Sequence, residues 1–169
     1  MKKIVILCLL IILMAPLGFS QVFAGGQAVL TFTNTEGFGS TTFIRANPIV
    51  GYSFGMFGAG VSFNYQVNFN PQGSNDLMRF GLFGDVRLLA FENFSVMGRA
   101  SVYYVIRQME FHEIELFGRG ILEYSLTDRL KAFTSIGHVW FVPRMLDNHR
   151  NVFGAAIFPG FNLGFRFFF

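Results

Sequence analysis

Apolar and polar side chains alternate along most of this chain, most plainly in its last nine residues. Phe161, Leu163, Phe165, Phe167 and Phe169 take every odd position there, and Asn162, Gly164 and Arg166 take three of the four even ones. Side chains on a strand repeat every two residues, so this segment has one apolar face and one polar or small face. The same pattern predicts eight strands: Gln27–Asn34, Thr41–Phe54, Phe57–Phe69, Met78–Ala90, Ser95–Arg107, His112–Leu126, Leu130–Pro143 and Val152–Phe169. In the third, Phe57, Ala59, Val61, Phe63, Tyr65 and Val67 oppose Gly58, Gly60, Ser62, Asn64, Gln66 and Asn68. In the second, Ile44, Ala46, Pro48, Val50 and Tyr52 oppose Arg45, Asn47 and Ser53; Pro48 cannot donate a ladder bond and predicts a bulge or local break. The seventh gives no clean facing, because Phe133, Val139 and Phe141 favour odd residues outward while Ile136 and Trp140 do not fit. Asn70 to Asp76 reads as a loop, and Gly55-Met56, Phe91 to Phe94 and Thr127 to Arg129 read as tight turns.

The other end of the chain has a different pattern. Lys2 and Lys3 precede an apolar stretch from Ile4 to Leu17, broken only by Pro16, and Val22-Phe23-Ala24 supplies a small-x-small junction. This is the layout of a secretory signal peptide. It divides the chain into a signal, 1–24, and a mature barrel, 25–169, with a cut after Ser20 as the alternative. The apolar run is short for a retained spanning helix, which needs about 20 residues. The single cysteine, Cys8, lies within the leader.

Together, the leader, the alternation and the terminal Phe169 make the chain resemble small eight-stranded bacterial outer-membrane β-barrels of the OmpA and OmpX type. The resemblance implies an all-β fold, an eight-stranded antiparallel up-and-down transmembrane β-barrel in the outer membrane of a Gram-negative-type cell envelope. It also implies that Phe161, Leu163, Phe165, Phe167 and Phe169 form the assembly signal read by the barrel-assembly machinery, and that outer-membrane lipids are partners. An even strand number places both termini and the tight turns on the periplasmic side. A soluble calycin-like barrel, with the apolar face inward, is the alternative fold.

Composition agrees with a membrane barrel. The chain is 52% hydrophobic and 18% aromatic, with 24 Phe and 19 Gly. That apolarity comes in alternation, not in blocks of 18 or more residues, as a closed sheet in lipid requires. Aromatic residues near strand ends (Tyr52, Phe54, Phe57, Phe69, Phe80, Phe91, Phe94, Tyr124, Phe167 and Phe169) fit interfacial girdles. The formal charge of +3 falls to about +1 without Lys2 and Lys3, and no basic patch points to nucleic acid.

In a membrane barrel the polar face points into the lumen. That face carries Arg45, Arg79, Asp85, Arg87, Arg99, Arg107, Glu113, Glu115, Arg119, Glu123 and Arg166. An eight-stranded lumen is just wide enough for side chains to fill it, so these charges predict a packed ion-pair network. Symmetric pairing of the fifth and sixth strands about Glu110 would set Arg107 opposite Glu113, and Asp85 or Arg87 falls near Arg99 according to register. The functional expectation is a structural or surface-interaction role with a polar, side-chain-filled lumen. The alternatives are a narrow, anion-preferring channel and a lipid-modifying enzyme. Catalysis finds little support. His138 has Ile136 and Trp140 as same-face neighbours under strict alternation, with no Ser at either spacing, and His112 and His149 sit at or in expected loops. No metal, cofactor or phosphate-binding motif stands out.

Overall fold

The structure is a computed structural model that describes residues 20–35, 39–70, 73–107, 111–144, 151–157 and 162–169. Residues 1–19 of the expected signal peptide (1–24) and Phe161 of the expected assembly signal lie outside the described residues. The strands are β1 (Ser20–Thr35), β2 (Gly39–Phe54), β3 (Phe57–Asn70), β4 (Gly73–Phe91), β5 (Phe94–Arg107), β6 (Phe111–Ser125), β7 (Leu130–Val142), β8 (Val152–Ile157) and β9 (Leu163–Phe168). Each of β1 to β7 pairs antiparallel with the next; β8 and β9 are two segments of the eighth barrel strand, both paired to β7, and β9 also pairs with β1. The sheet is thus a closed eight-stranded antiparallel barrel. Closure removes the unpaired edges that an open sheet would present to lipid.

The strands run longer than the alternation indicates. The expected loop from Asn70 to Asp76 is largely strand: Val67 pairs with Asp76 and Asn70 with Gly73. β1 starts at Ser20, upstream of Gly25, and Phe23 is only 1% exposed, its ring packed at a tilt against those of Phe168 and Phe83. Pro48 makes a local break and no bulge. Ala46↔Tyr65 and Ile49↔Ser62 keep one register on either side of it. Short turns join β2 to β3, β4 to β5 and β6 to β7, all at the end where β1 begins and β9 ends, the terminus side. Gly55 adopts φ +60°, the left-handed conformation that a two-residue hairpin demands.

Two bulges reset the alternation. In β7 the register slips at Ile136, between Gly120↔Gly137 and Ile121↔Ser135. Phe133 and Ser135 therefore face inward before the slip, and His138 and Val142 turn inward after it. This resolves the mixed facing of the seventh segment. Leu88 is the extra residue of a second slip, between Arg87 and Leu89 in β4, and both leucines point outward.

The outer wall is apolar. Val50, Val61, Leu82, Val102, Leu116, Phe141 and Phe153 are successive cross-strand partners and form a continuous belt. Tyr52, Phe57, Phe91, Phe94, Tyr124, Phe167 and Phe169 are exposed around the terminus-side end. The apolar face is thus outside, the reverse of a calycin-like barrel. Within β9 the facing alternates strictly: Leu163, Phe165 and Phe167 outward, Gly164, Arg166 and Phe168 inward, with Phe169 outward beyond the strand.

Inward glycines seat inward rings. A Cβ at Gly164 would meet the ring of Phe133 and the carbonyl oxygen of Gly26 at 2.8 Å, on the closing seam. Gly164→Val is expected to block closure, with loss of the folded, heat-modifiable band on cold gel electrophoresis. Gly84→Ala, whose nearest obstacle is a carbonyl oxygen at 3.9 Å, is expected to fold normally. Equal folded yields would show that the seam tolerates the added bulk.

Candidate functional site

The lumen divides into two halves. Toward the termini it is solid. Asp85 on β4 receives a bidentate pair from Arg99 on β5, at 2.6 and 2.8 Å. Arg166 on β9 lies 3.1 Å from Asp85 and 3.3 Å from Glu123 on β6, and Glu123 also accepts from Lys131 at 3.1 Å. Arg166 is 2% exposed. Its contacts are charge pairs more than aligned hydrogen bonds, and its Nε has no partner. Rings supply the rest of its surroundings: the guanidinium lies 5.2 Å from Phe23 and 5.1 Å from Phe133, and that of Arg99 lies 3.9 Å above Phe83. Phe23, Ile49, Phe83, Met97, Ile121, Phe133 and Phe168 form one buried apolar cluster around these ions. The lumen is therefore not purely polar, as the alternation led one to expect, because narrow space around an ion pair packs best with rings. The free volume at this level is about 10 Å³, room for one water at most.

The described residues do not fill the far half of the lumen. It encloses a cavity of about 430 Å³, lined by polar and aromatic side chains. Two ion pairs stand at its wall: Arg79 Nε donates to Glu115 at 2.7 Å, and Arg107 Nε donates to Glu113 at 2.9 Å. The expectation of a fully side-chain-filled lumen is corrected here. Arg107 and Glu113 do meet, though not by direct opposition. The β5–β6 register sets Arg107 against Phe111 and Glu113 against Val105, so the two carry their pair diagonally. The register of β4 and β5 sets Asp85, not Arg87, opposite Arg99.

Three lumen arginines have no carboxylate partner among the described residues. Arg45 reaches only Asn162, at 3.4 Å, while Arg87 and Arg119 each have a buried Nε without a hydrogen bond. Lys131 joins the network although alternation did not single it out. It lies in the strand whose facing the Ile136 bulge obscured. The buried apolar residues were missed for a related reason, since an inward Phe looks like an outward one in sequence. Inward glycines would have found several: Gly51 sits under Phe23, Gly60 under Phe83, Gly81 under Tyr103 and Gly164 under Phe133.

Two of the three histidines, His112 and His138, lie among the described residues. His112 Nδ1 lies 2.7 Å from the Tyr104 hydroxyl. His138 stacks on Phe117 at 5.0 Å and contacts Trp140 at 5.4 Å. The bulge at Ile136 brings Ser135 into the same cavity as His138, which strict alternation does not, yet Ser135 Oγ makes no hydrogen bond. His149 lies outside the described residues. Among the described residues, no group of three His, Cys, Asp or Glu could hold a metal ion.

No known family model matches the chain, and no curated protein matches it in sequence. Among solved structures it is similar to the crystal structure of Neisserial surface protein A, with a TM-score of 0.54 and 14% identity over 89% of this chain and 96% of that one. At that identity the likeness speaks for the fold: an outer-membrane type of eight-stranded barrel.

The two levels of ion pairs differ in burial and are expected to differ in worth. Asp85→Asn leaves Arg99 buried without a counter-charge, takes one of two from Arg166, and is expected to cost about 3–5 kcal/mol. Glu113→Gln breaks a pair whose arginine side chain is 43% exposed and is expected to cost at most about 1 kcal/mol. Urea unfolding in lipid vesicles, followed by circular dichroism, checks the order.

Proposed function

We propose that this chain is an outer-membrane barrel with a structural or surface role, held shut on its terminus side. The observation that carries this reading is the ion cluster of Asp85, Arg99, Glu123, Lys131 and Arg166 set among the rings of Phe23, Phe83, Phe133 and Phe168. Each ion of the cluster touches an opposite charge, and the rings leave only about 10 Å³ of free volume beside them, too little for a hydrated ion to pass. The apolar belt and the likeness to an outer-membrane surface protein support the location. The tight turns would face the periplasm and the cavity the outside. The expected result is little or no steady conductance for the refolded protein in planar bilayers; a steady wild-type current would instead support the channel alternative.

The leader would be removed after Ser20, behind Gly18-Phe19-Ser20, and not after Ala24. Phe23 supports this. It fills the terminus-side lumen, and Phe23 and Ala24 pair with Phe168 and Phe167 across the closing seam. A cut after Ala24 would remove both residues from the finished barrel. N-terminal sequencing of the membrane-extracted protein is expected to begin at Gln21; a start at Gly25 would show that the seam closes without them.

A further inference from the structure

The far cavity has a charge imbalance that its own residues do not settle. Arg119 and Arg99 stand directly opposite each other on the β5–β6 ladder, and His138 stands opposite Arg119 on the other side. Like charges in direct opposition destabilise a sheet. Asp85 neutralises Arg99, but Arg119 has no carboxylate, and its Nε is buried without a hydrogen bond. Arg45 lines the same cavity with only a long contact to Asn162. The two carboxylates at that level, Glu113 and Glu115, are already engaged by Arg107 and Arg79. A buried guanidinium donor without an acceptor is costly, and a carboxylate is the acceptor whose geometry it matches.

Beside this cationic pole runs an aromatic wall. The Arg119 guanidinium lies 5.1 Å from the Phe117 ring, Phe117 stacks on His138 at 5.0 Å, and His138 contacts Trp140 at 5.4 Å. We propose that the far half of the lumen is a blind binding pocket for a small aromatic carboxylate, its carboxyl group held by Arg119 and Arg45 and its ring laid against Phe117, His138 and Trp140. The cavity of about 430 Å³ falls in the size range of small-molecule sites. The solid terminus-side half gives it a floor. This binding goes beyond a structural role, and it requires neither conductance nor any particular membrane.

Trp140 is the single tryptophan of the chain and lines the cavity, so its fluorescence reports on the pocket, and the arginine variants separate that signal from quenching at the outer wall. The experiment titrates the refolded protein in detergent micelles with 4-nitrobenzoate, which quenches tryptophan, and in parallel with the neutral 4-nitrobenzyl alcohol. Saturable quenching by the acid and linear, collisional quenching by the alcohol are expected. Arg119→Gln and Arg45→Gln are each expected to weaken the acid about tenfold or more, as loss of a charge-assisted hydrogen bond implies. Arg129→Gln, on the exposed turn at the opposite end, is expected to titrate as wild type. Each variant is first shown folded by its heat-modifiable mobility. Should one arginine variant fail to fold, iodide and acrylamide quenching of the wild type replaces it, with iodide expected to be disproportionately effective. Linear quenching by the acid, equal midpoints for acid and alcohol, wild-type titration of Arg119→Gln, or no preference for iodide would each overturn the proposal.

Discussion

Arg166 is the side chain on which the rest of the barrel leans. It is carried by the closing strand, lies almost wholly buried, and meets Asp85 on β4 and Glu123 on β6. One guanidinium thus spans the lumen and ties three distant strands together. A charge so deep is tolerable only if its counter-charges arrive with it. Those counter-charges bring Arg99 and Lys131, and the rings of Phe23, Phe83 and Phe133 pack around the whole. Barrel closure and lumen sealing are therefore one event. β9 cannot take its place without Arg166 entering the cluster.

The same constraint explains why the two halves of the lumen differ. On the terminus side, large inward rings rest over inward glycines of a neighbouring strand, so backbone and ring interlock. On the far side the inward positions carry long polar chains, Arg45, Gln66, Arg79 and Arg107 among them, which line a space instead of filling it. On that side Arg45 and Arg119 have no carboxylate partner among the described residues.

Much of this architecture could be read from alternation, because a period of two leaves little choice once one face must meet lipid. The facing of the last strand, the polar faces of the second and third, and the inward placement of most charges follow from it. What escaped it has definite physical causes. A single extra residue at Ile136 inverts the facing of half of β7, and no rule of composition locates such a slip. A register offset by two residues keeps the facing and changes the partners, so Arg107 is set against Phe111. Inward phenylalanines share their residue type with outward ones; only the glycine beneath them betrays their direction. Strand ends in the far half, such as Asn75 and Asp76, extend through residue types that usually mark loops, because pairing on a neighbouring strand overrides local preference.

The closing seam has a consequence for how the barrel comes into being. Phe23–Gln27 pair with Gly164–Phe168, and the amide of Phe169 donates to the carbonyl of Val22. Among the described residues, the contacts of this seam join the positions farthest apart along the chain. Loop closure on that scale is entropically slow, and it must wait for the last residues to be synthesised. Until then β1 and the growing end are raw edges, able to pair with any other strand. A chain interrupted anywhere before β9 keeps both edges for good. The seam therefore works as a lock: the sheet becomes inert to its neighbours only when β1 and β9 have found each other.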